Sequence, residues 1–597
     1  MICLTVFQNH QIGYLMQKKI NYTLGINFLH SDSSACIFKN GDLIAASEEE
    51  RFTRIKHTSL FPRESIIFCL NEAKISLSDL NYVTVNTNPL SSFHKKLTYL
   101  FTNISSINIA ISSLKNSKKK INLKKLISEI DNNNKFNGEI KYIDHHLSHV
   151  ASSVCFSNFK NCVNISVDGF GDFSSCSWGL YQNNKIKLDR KIYFPHSLGI
   201  FYQSLTQFLG FKSYGDEYKL MGLSPYGNPI YKDKLFKLIN LTNEGFKLNL
   251  NYFLHHRKKI FSLNKNGQFQ YENIFSEKIY ELLGDERKPN DPITQKHMDL
   301  AKSVQEVYED TFFHLLNILE KKYKIEHLTL SGGCAMNSVA NGKIINKTNF
   351  KKIYISPNPG DAGGSVGSAA YFLENDLKYK ISVKNYEYLG KSYSNNEIEK
   401  IIRNMINNKK YQLKYLDFED LYPLICNKLI DEKIIGWFQG RMEWGPRALG
   451  NRSILADPRN PNIKKIINSK IKRRESFRPF APSIIEEHTK DWFDIDKEVP
   501  YMSEVYQVKE SKRSKISGVV HVDGSGRLQS VNFKNNPIYY SLINEFYKIT
   551  KVPIILNTSF NENEPIVNKP SEAIACFQRT NLDILVLGNW ILSKESL

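Results

Sequence analysis

Apolar residues come in short blocks along this chain, and the blocks alternate between strand-like and helix-like spacing. YTLGINF is an apolar run of strand length and HSDSS a polar turn after it. ACIFKNGDLIAA then predicts a hairpin turning at Asn40-Gly41, residues that take positive φ readily. The same order recurs later. CVNISVDGF predicts a strand, GDFSS a polar turn, and CSWGLYQNNKIKLDRKI a hairpin at Asn183-Asn184. PRESIIFCLNEAKIS has helical spacing and leads into the strand YVTVNT. KHMDLAKSVQEVYEDTFFHLLNILEKKY predicts a long amphipathic helix. HLTLSGG predicts a strand with a helix starting near Cys334, and IYISPNPGDAGGSVGSAAYFL a strand, a loop and a helix. Strands alternating with helices predict an α/β fold.

Two copies of strand, polar turn and hairpin predict two related lobes facing one cleft. That is the arrangement of actin-like and sugar-kinase-like ATPases, whose hairpin turns hold nucleotide phosphates. The composition shifts between Tyr386 and Ser394, which places a boundary there and divides the chain into residues 1–385 and 386–597. The second part has its own strands, KIIGWF, VPIILNT and DILVLGNWIL, and predicts a second α/β domain.

Bulk composition narrows the class. With 597 residues, 41% of them hydrophobic, and a mean hydropathy of -0.38, the chain is a soluble globular protein of several domains. No run approaches the ~20 apolar residues of a membrane span. The first segment lacks the pattern of a signal peptide, and Met16 is a candidate start alongside Met1. Nine cysteines, none in a C-x-x-C pair, point to a reducing cytoplasm rather than a disulfide framework or zinc ribbon. The net charge of +20 fits nucleic acid, phosphorylated small substrates, or a bias toward Lys, Asn and Ile. The lysines of SLKNSKKKINLKKL read as a solvated helix or loop.

Three constellations carry chemistry. In DHHLSHVASS, His145 and His149 are four apart and share a helix face, as a metal site requires; His146 and His149 are the alternative pair. Asp168 ends a strand and Asp361 sits in a glycine-rich turn. Two histidines with two aspartates suit iron, manganese or zinc. The second constellation is three glycine turns after apolar strands, at Gly169 and Gly171, at Gly332 and Gly333, and around Gly360. Glycine lets backbone N–H groups approach phosphate, and no P-loop pattern is present. The third is GWFQGRMEWGPRALGNRSILADPR with KIKRRESFRPFAP. Arg441, Arg447, Arg452 and Arg478 lie among apolar residues and call for anionic partners. Lys472 adds a point charge; Arg527, Asn557 and Ser559 add polar tips beside strands. An internal network with Glu443, Asp457 and Glu475 would use the same arginines. No G-x-S-x-G elbow is present, so positioning and charge stabilisation carry the chemistry.

These motifs, with LGINFLHSDSSA, EEERFTRIKH, GDEYKLMGLSPYG, SGGCAMNSVANG and VDGSGRLQSV, resemble the NodU/CmcH-type O-carbamoyltransferases along nearly the whole chain. Where that family more often has another small residue and Val, this chain has Gly526 and Leu528. The resemblance implies a duplicated, TsaD-like N-terminal domain of the actin/sugar-kinase group and a C-terminal YrdC-like domain. It implies that the C-terminal domain makes carbamoyl adenylate from carbamoyl phosphate and ATP with Mg²⁺. The N-terminal domain then passes the carbamoyl group to a hydroxyl of a small-molecule acceptor, a natural product or sugar. Carried over by motif, His145, His149, Asp168 and Asp361 hold Fe²⁺, Mn²⁺ or Zn²⁺, and His30 is the general base. Arg447, Lys472, Arg478, Arg527, Asn557 and Ser559 grip carbamoyl phosphate and nucleotide. Gly169, Gly171, Gly332, Gly333, Asn337 and Gly360 form the phosphate loops.

The resemblance leaves room for a homodimer and none for a membrane. Nucleic acid is disfavoured as a partner, because tRNA threonylcarbamoylation divides these domains between proteins and lacks the EWGPRALGNRS-type half. A non-catalytic nucleotide sensor is the alternative of another class, opposed by the intact His30, metal set and arginines. The basic segment 91–135 matches no motif of the family.

Overall fold

Asn40 and Gly41 take φ of 51° and 94°, and Asn183 and Asn184 take 53° and 56°, so both predicted hairpins close where the sequence places them. The computed structural model describes residues 20–102, 122–131, 133, 135–406 and 411–594. The question of Met1 against Met16 and most of the lysine-rich stretch lie outside these residues. Where that stretch is described it forms the helix Leu123–Ser128, with Leu123 and Ile127 buried.

The repeat read from the sequence is a duplication of topology. The first sheet has β1 (Tyr22–Asn27), β2 (Ser34–Lys39), β3 (Asp42–Glu48), β4 (Tyr82–Val85) and β5 (Glu139–Tyr142), ordered β3-β2-β1-β4-β5. The second has β6 (Asn161–Gly171), β7 (Ser174–Gln182), β8 (Lys185–Tyr193), β9 (His327–Ser331) and β10 (Lys352–Ile355), ordered β8-β7-β6-β9-β10. In each sheet the first strand pairs antiparallel with its hairpin and parallel with the strand of that sheet that follows the hairpin in the chain.

Between the sheets lie two helices. His145–Val154 packs on β6 and β9, while Gly363–Asn375 packs on β1, β2 and β4. Outer layers are Arg63–Ala73 on the first sheet and Leu198–Phe208 with the 29-residue helix Gln295–Tyr323 on the second. The two inner helices nearly touch backbone to backbone: a Cβ at Gly367 would lie 1.8 Å from Ser148 O. Glycine is needed there because a methyl group has no space.

The predicted helix near Cys334 is instead a single tight turn, Gly333–Met336, followed by Ser338–Asn341. Gly332 at φ 86° starts the turn, and Asn337 breaks the helix by capping its second piece through Ala340 N at 3.1 Å.

The C-terminal half is a mixed eight-stranded sheet. Its strands are β11 (Gln412–Tyr415), β12 (Ile435–Phe438), β13 (Arg452–Ala456), β14 (Ala481–Ile485), β15 (Gln529–Val531), β16 (Ile554–Ser559), β17 (Ile584–Leu587) and β18 (Trp590–Ser593). Their order is β11-β18-β17-β12-β13-β16-β14-β15. DILVLGNWIL is two of these strands, because Gly588 at φ 57° turns the chain back. No described helix is long and apolar enough to cross a membrane.

Gly367→Ala should cost about 1–3 kcal/mol by overpacking. Urea denaturation measures it; an unchanged midpoint would mean the two helices can separate freely.

Candidate active site

Asp144 caps the helix His145–Val154 through Leu147 N at 3.1 Å and is itself held by Lys191 at 2.5 Å. Burial opposes its charge, yet Lys191 keeps the carboxyl well below the usual range. One helical turn separates His145 from His149, and their Nε2 atoms face each other at 3.0 Å. Asp168, on β6, brings Oδ2 within 3.1 Å of the first imidazole and 3.5 Å of the second. Asp361, at the foot of the helix Gly363–Asn375, brings Oδ1 within 3.6 and 3.4 Å of the same nitrogens. Each carboxylate is tethered by its other oxygen, Asp168 by Gly333 N at 2.8 Å and Asp361 by Ser31 Oγ at 2.6 Å.

This set fits a divalent metal. Donors ~2.1 Å from a common ion stand ~3.0–3.5 Å from one another; here the two imidazole nitrogens lie 3.0 Å apart and 3.1–3.6 Å from the carboxylate oxygens. Asp361 Oδ1 is buried without a hydrogen-bond partner. Burial works against charge on His149, but Asp168 and Asp361 overcome it and raise its pKa to about 10. The centre demands positive charge, from a proton or from a metal cation. His146 turns away to Ser166 Oγ and Ser174 O, both at 3.0 Å, which leaves His145 and His149 as the converging pair.

His30 is half-buried, with its ring centroid 4.4 Å from that of His145. Burial, and then the neighbouring His145, lower its pKa to about 4, so the imidazole is neutral. Gly169, Gly171 and Gly333 line the same cavity as His30; Gly332 and Gly360 do not. A Cβ on Gly171 would lie 2.0 Å from His145 Cδ2, whereas one on Gly169 would meet nothing within 4 Å. Asn337 lines the cavity too. Its amide is spent on Gln305, which it meets at 3.0 and 3.1 Å, and on its own helix cap.

The arginines of the third constellation divide into two groups. Arg441 binds the carbonyls of Ile44, Leu389 and Gly390, and Arg452 those of Gln439, Gly440, Asn451 and Lys391. Arg441 also pairs with Glu72 at 3.6 Å, and both arginines brace loops through partners inside the protein. Glu443 likewise spends Oε1 on the backbone N–H groups of Leu449, Asn451 and Arg452. Arg447 and Arg527 behave otherwise. Burial lowers the pKa of Arg447 to about 10 with no carboxylate beside it. Arg527, whose Nε donates to Met502 O at 2.8 Å, is held far below its ordinary value by burial and then by Arg447 itself. Neither guanidinium has a carboxylate among its described neighbours. Arg478 joins them on the cavity wall, paired to Glu475 at 2.7 Å.

Asn557 and Ser559 alternate along β16 and so share a face; both line the cavity, and Asn557 Oδ1 has no hydrogen-bond partner. Lys472 stands behind them rather than on the wall. Its ammonium is enclosed by Asn561 Oδ1 at 2.6 Å, Asn561 O at 2.7 Å and Ser559.

His30, both aspartates of the centre, Arg447, Arg478, Arg527, Asn557 and Ser559 line one cavity of about 980 Å³. The Carbamoyltransferase N-terminus family model matches residues 22–370, and the Carbamoyltransferase C-terminus model matches residues 426–594. The chain belongs to the carbamoyltransferase family, of the NodU/CmcH type. It is 38% identical to an uncharacterised Synechocystis protein over 97% of each chain. It is 34% identical to nodulation protein NolNO of Sinorhizobium fredii, over 95% of this chain and 80% of that one. It is 32% identical to the 3'-hydroxymethylcephem-O-carbamoyltransferase of Amycolatopsis lactamdurans, over 45% of this chain and 49% of that one.

Several residues of this carbamoyltransferase's cavity escaped sequence reasoning. Asp172 accepts from Thr87 Oγ1 (2.7 Å), Asn88 N (2.8 Å) and His145 N (2.9 Å), and so fixes the start of the histidine helix. Arg474 adds a fourth arginine to the wall, its pKa lowered to about 10 by burial and by Arg478. Asp32 and His57 pair at 2.7 Å beside Tyr214. Their motifs were legible in HSDSS and EEERFTRIKH, but nothing in the spacing joins residues 25 apart.

Burial opposes a charge on His57, but Asp32 and then Glu50 raise its pKa to about 9. The pair's stabilisation is therefore complete below about pH 6.5 and is lost as pH rises through about 9. The His57→Gln variant should lack that alkaline decline in denaturation midpoint; an identical decline would place its origin elsewhere.

Proposed function

We propose that this protein is an ATP-dependent O-carbamoyltransferase working through carbamoyl adenylate. The observation that carries the reading is one cavity lined both by Asp168 and Asp361 of the four-residue His/Asp centre and by Arg447 and Arg527, which have no carboxylate partner among the described residues. The reading assigns residues 1–385 to a TsaD-like transfer domain and residues 386–597 to a YrdC-like adenylate-forming domain, in a cytoplasmic protein.

In the first step, carbamoyl phosphate, ATP and one water give carbamoyl adenylate, pyrophosphate and phosphate. Water cleaves the P–O bond of carbamoyl phosphate, and the carbamate oxygen attacks the α-phosphorus of ATP, which comes with Mg²⁺. Arg447 and Arg527 receive the phosphate charge, and their missing counter-ions are then the substrate's own. Arg478, Asn557 and Ser559 orient the nucleotide, and Lys472 acts from behind by fixing Ser559 and Asn561.

In the second step the acceptor hydroxyl attacks the carbamoyl carbon, the C–O bond to AMP breaks, and the hydroxyl proton passes to His30. The neutral His30 ring has a lone pair ready for that proton. His145, His149, Asp168 and Asp361 would hold Fe²⁺, Mn²⁺ or Zn²⁺, which supplies charge for the adenylate phosphate or polarises its carbonyl. Gly169, with open space before it, and Gly333 give backbone approach to the phosphate. The aspartates of the centre and the arginines line one cavity, so the adenylate would pass between them without leaving it. The acceptor is a hydroxylated small molecule; the name of the Amycolatopsis relative specifies a hydroxymethyl group for that enzyme.

Purified protein should release pyrophosphate only when ATP, Mg²⁺ and carbamoyl phosphate are all present. Arg527→Ala should lower that release by about 100-fold, while His30→Ala should spare it and lower carbamoyl transfer by about 100-fold. Normal pyrophosphate release from the Arg527→Ala variant would overturn the assignment of the C-terminal half.

A further inference from the structure

One buried carboxylate joins a loop of the N-terminal half to a loop of the C-terminal half. Glu48 ends β3 and is 5% exposed. Its Oε1 accepts two hydrogen bonds, from Asn358 Nδ2 at 3.0 Å and from Gly445 N at 2.9 Å. Arg51, 2% exposed, pairs with Glu48 at 3.4 Å and with Glu50 at 3.1 Å, and donates to Gly445 O at 2.8 Å. Gly445 is thus held at both its N–H and its C=O by a single ion pair of the first lobe. Its backbone is also pressed against the Asn358 loop. At φ 117°, a Cβ on Gly445 would lie 2.3 Å from Pro357 O.

The positions of these contacts in the chain give them meaning. Asn358 is three residues before Asp361, the carboxylate of the His/Asp centre, and Gly445 is two residues before Arg447 of the arginine wall. Both loops hang from one oxygen. We propose that Glu48, clamped by Arg51, is a positioning residue that sets the His/Asp centre and the arginine wall in register with each other. It touches no substrate. This inference rests on the function proposed above, because register between the two matters only if an intermediate formed at one is used at the other. A buried ion pair that satisfies donors from two separate loops rigidifies both, and a shift in either loop displaces the side chain it carries.

Three variants test the two arms. Asn358→Ala should raise the Kd for Mn²⁺, titrated without nucleotide, about tenfold and leave the KM for carbamoyl phosphate in pyrophosphate release unchanged. Gly445→Ala, whose methyl group would press on Pro357 O of the Asn358 loop as well as shift the loop that carries Arg447, should raise both constants about tenfold. Glu48→Ala should do the same. A role confined to stability would lower the folded fraction, seen in thermal melts, without moving either constant for the folded protein. Wild-type values of either constant in folded Glu48→Ala would overturn the proposal. If Glu48→Ala does not fold, Asn358→Ala decides: its one-sided effect on Mn²⁺ affinity supports the clamp, and any other pattern overturns it. Wild-type protein that releases no pyrophosphate would sink the catalytic reading instead, while the Mn²⁺ titrations, which need no catalysis, still test the clamp.

Discussion

The inner helix pair is the constraint on which the N-terminal half depends. His145–Val154 and Gly363–Asn375 cross so closely that Gly367 meets the carbonyl of Ser148. One helix carries both histidines, and the other begins two residues after Asp361. Their separation therefore fixes the distance from imidazoles to carboxylate, and the two flanking sheets hold it from outside. Asp168 comes from the central strand of the second sheet and Ser31, which orients Asp361, from the turn after β1 of the first. The centre lies where both halves of the duplication meet, and neither half could build it alone.

The C-terminal half presents the opposite electrostatic problem. A half-buried guanidinium without counter-charge is disfavoured, and Arg447 lowers the pKa of Arg527 further. Such cost persists where a ligand removes it. The same sheet shows how arginines are buried when no ligand is intended: Arg452 lies over the ring of Phe438 at 3.6 Å and is ringed by backbone carbonyls. The contrast between Arg452 and Arg447, five residues apart, distinguishes a structural cation from one awaiting an anion. Glu48 and Arg51 then connect these two electrostatic regimes through backbone contacts at Gly445.

Much of this was written in the chain. The duplicated hairpins were legible because Asn-Gly and Asn-Asn tolerate positive φ and few other pairs do. The histidines were legible because helical spacing brings residues four apart together. The order of motifs was enough to mark the family. Local patterns failed where tertiary packing chose among equals. Gly332 and Asn337 reduced a predicted helix to two short turns, and Gly588 split one apolar run into two strands.

The sequence by itself therefore determined the residue types available for chemistry, the α/β alternation and the internal repeat, since these depend on neighbours within a few residues. The tertiary structure alone decided which arginines are spent on carbonyls and which remain unpaired. It turned His146 toward Ser166, put Lys472 behind Ser559, and joined Glu48 to loops about 310 and 397 residues away. The physical reason is that burial and charge pairing are properties of a surrounding volume. That volume is filled by segments far apart in the chain, and no local spacing encodes it.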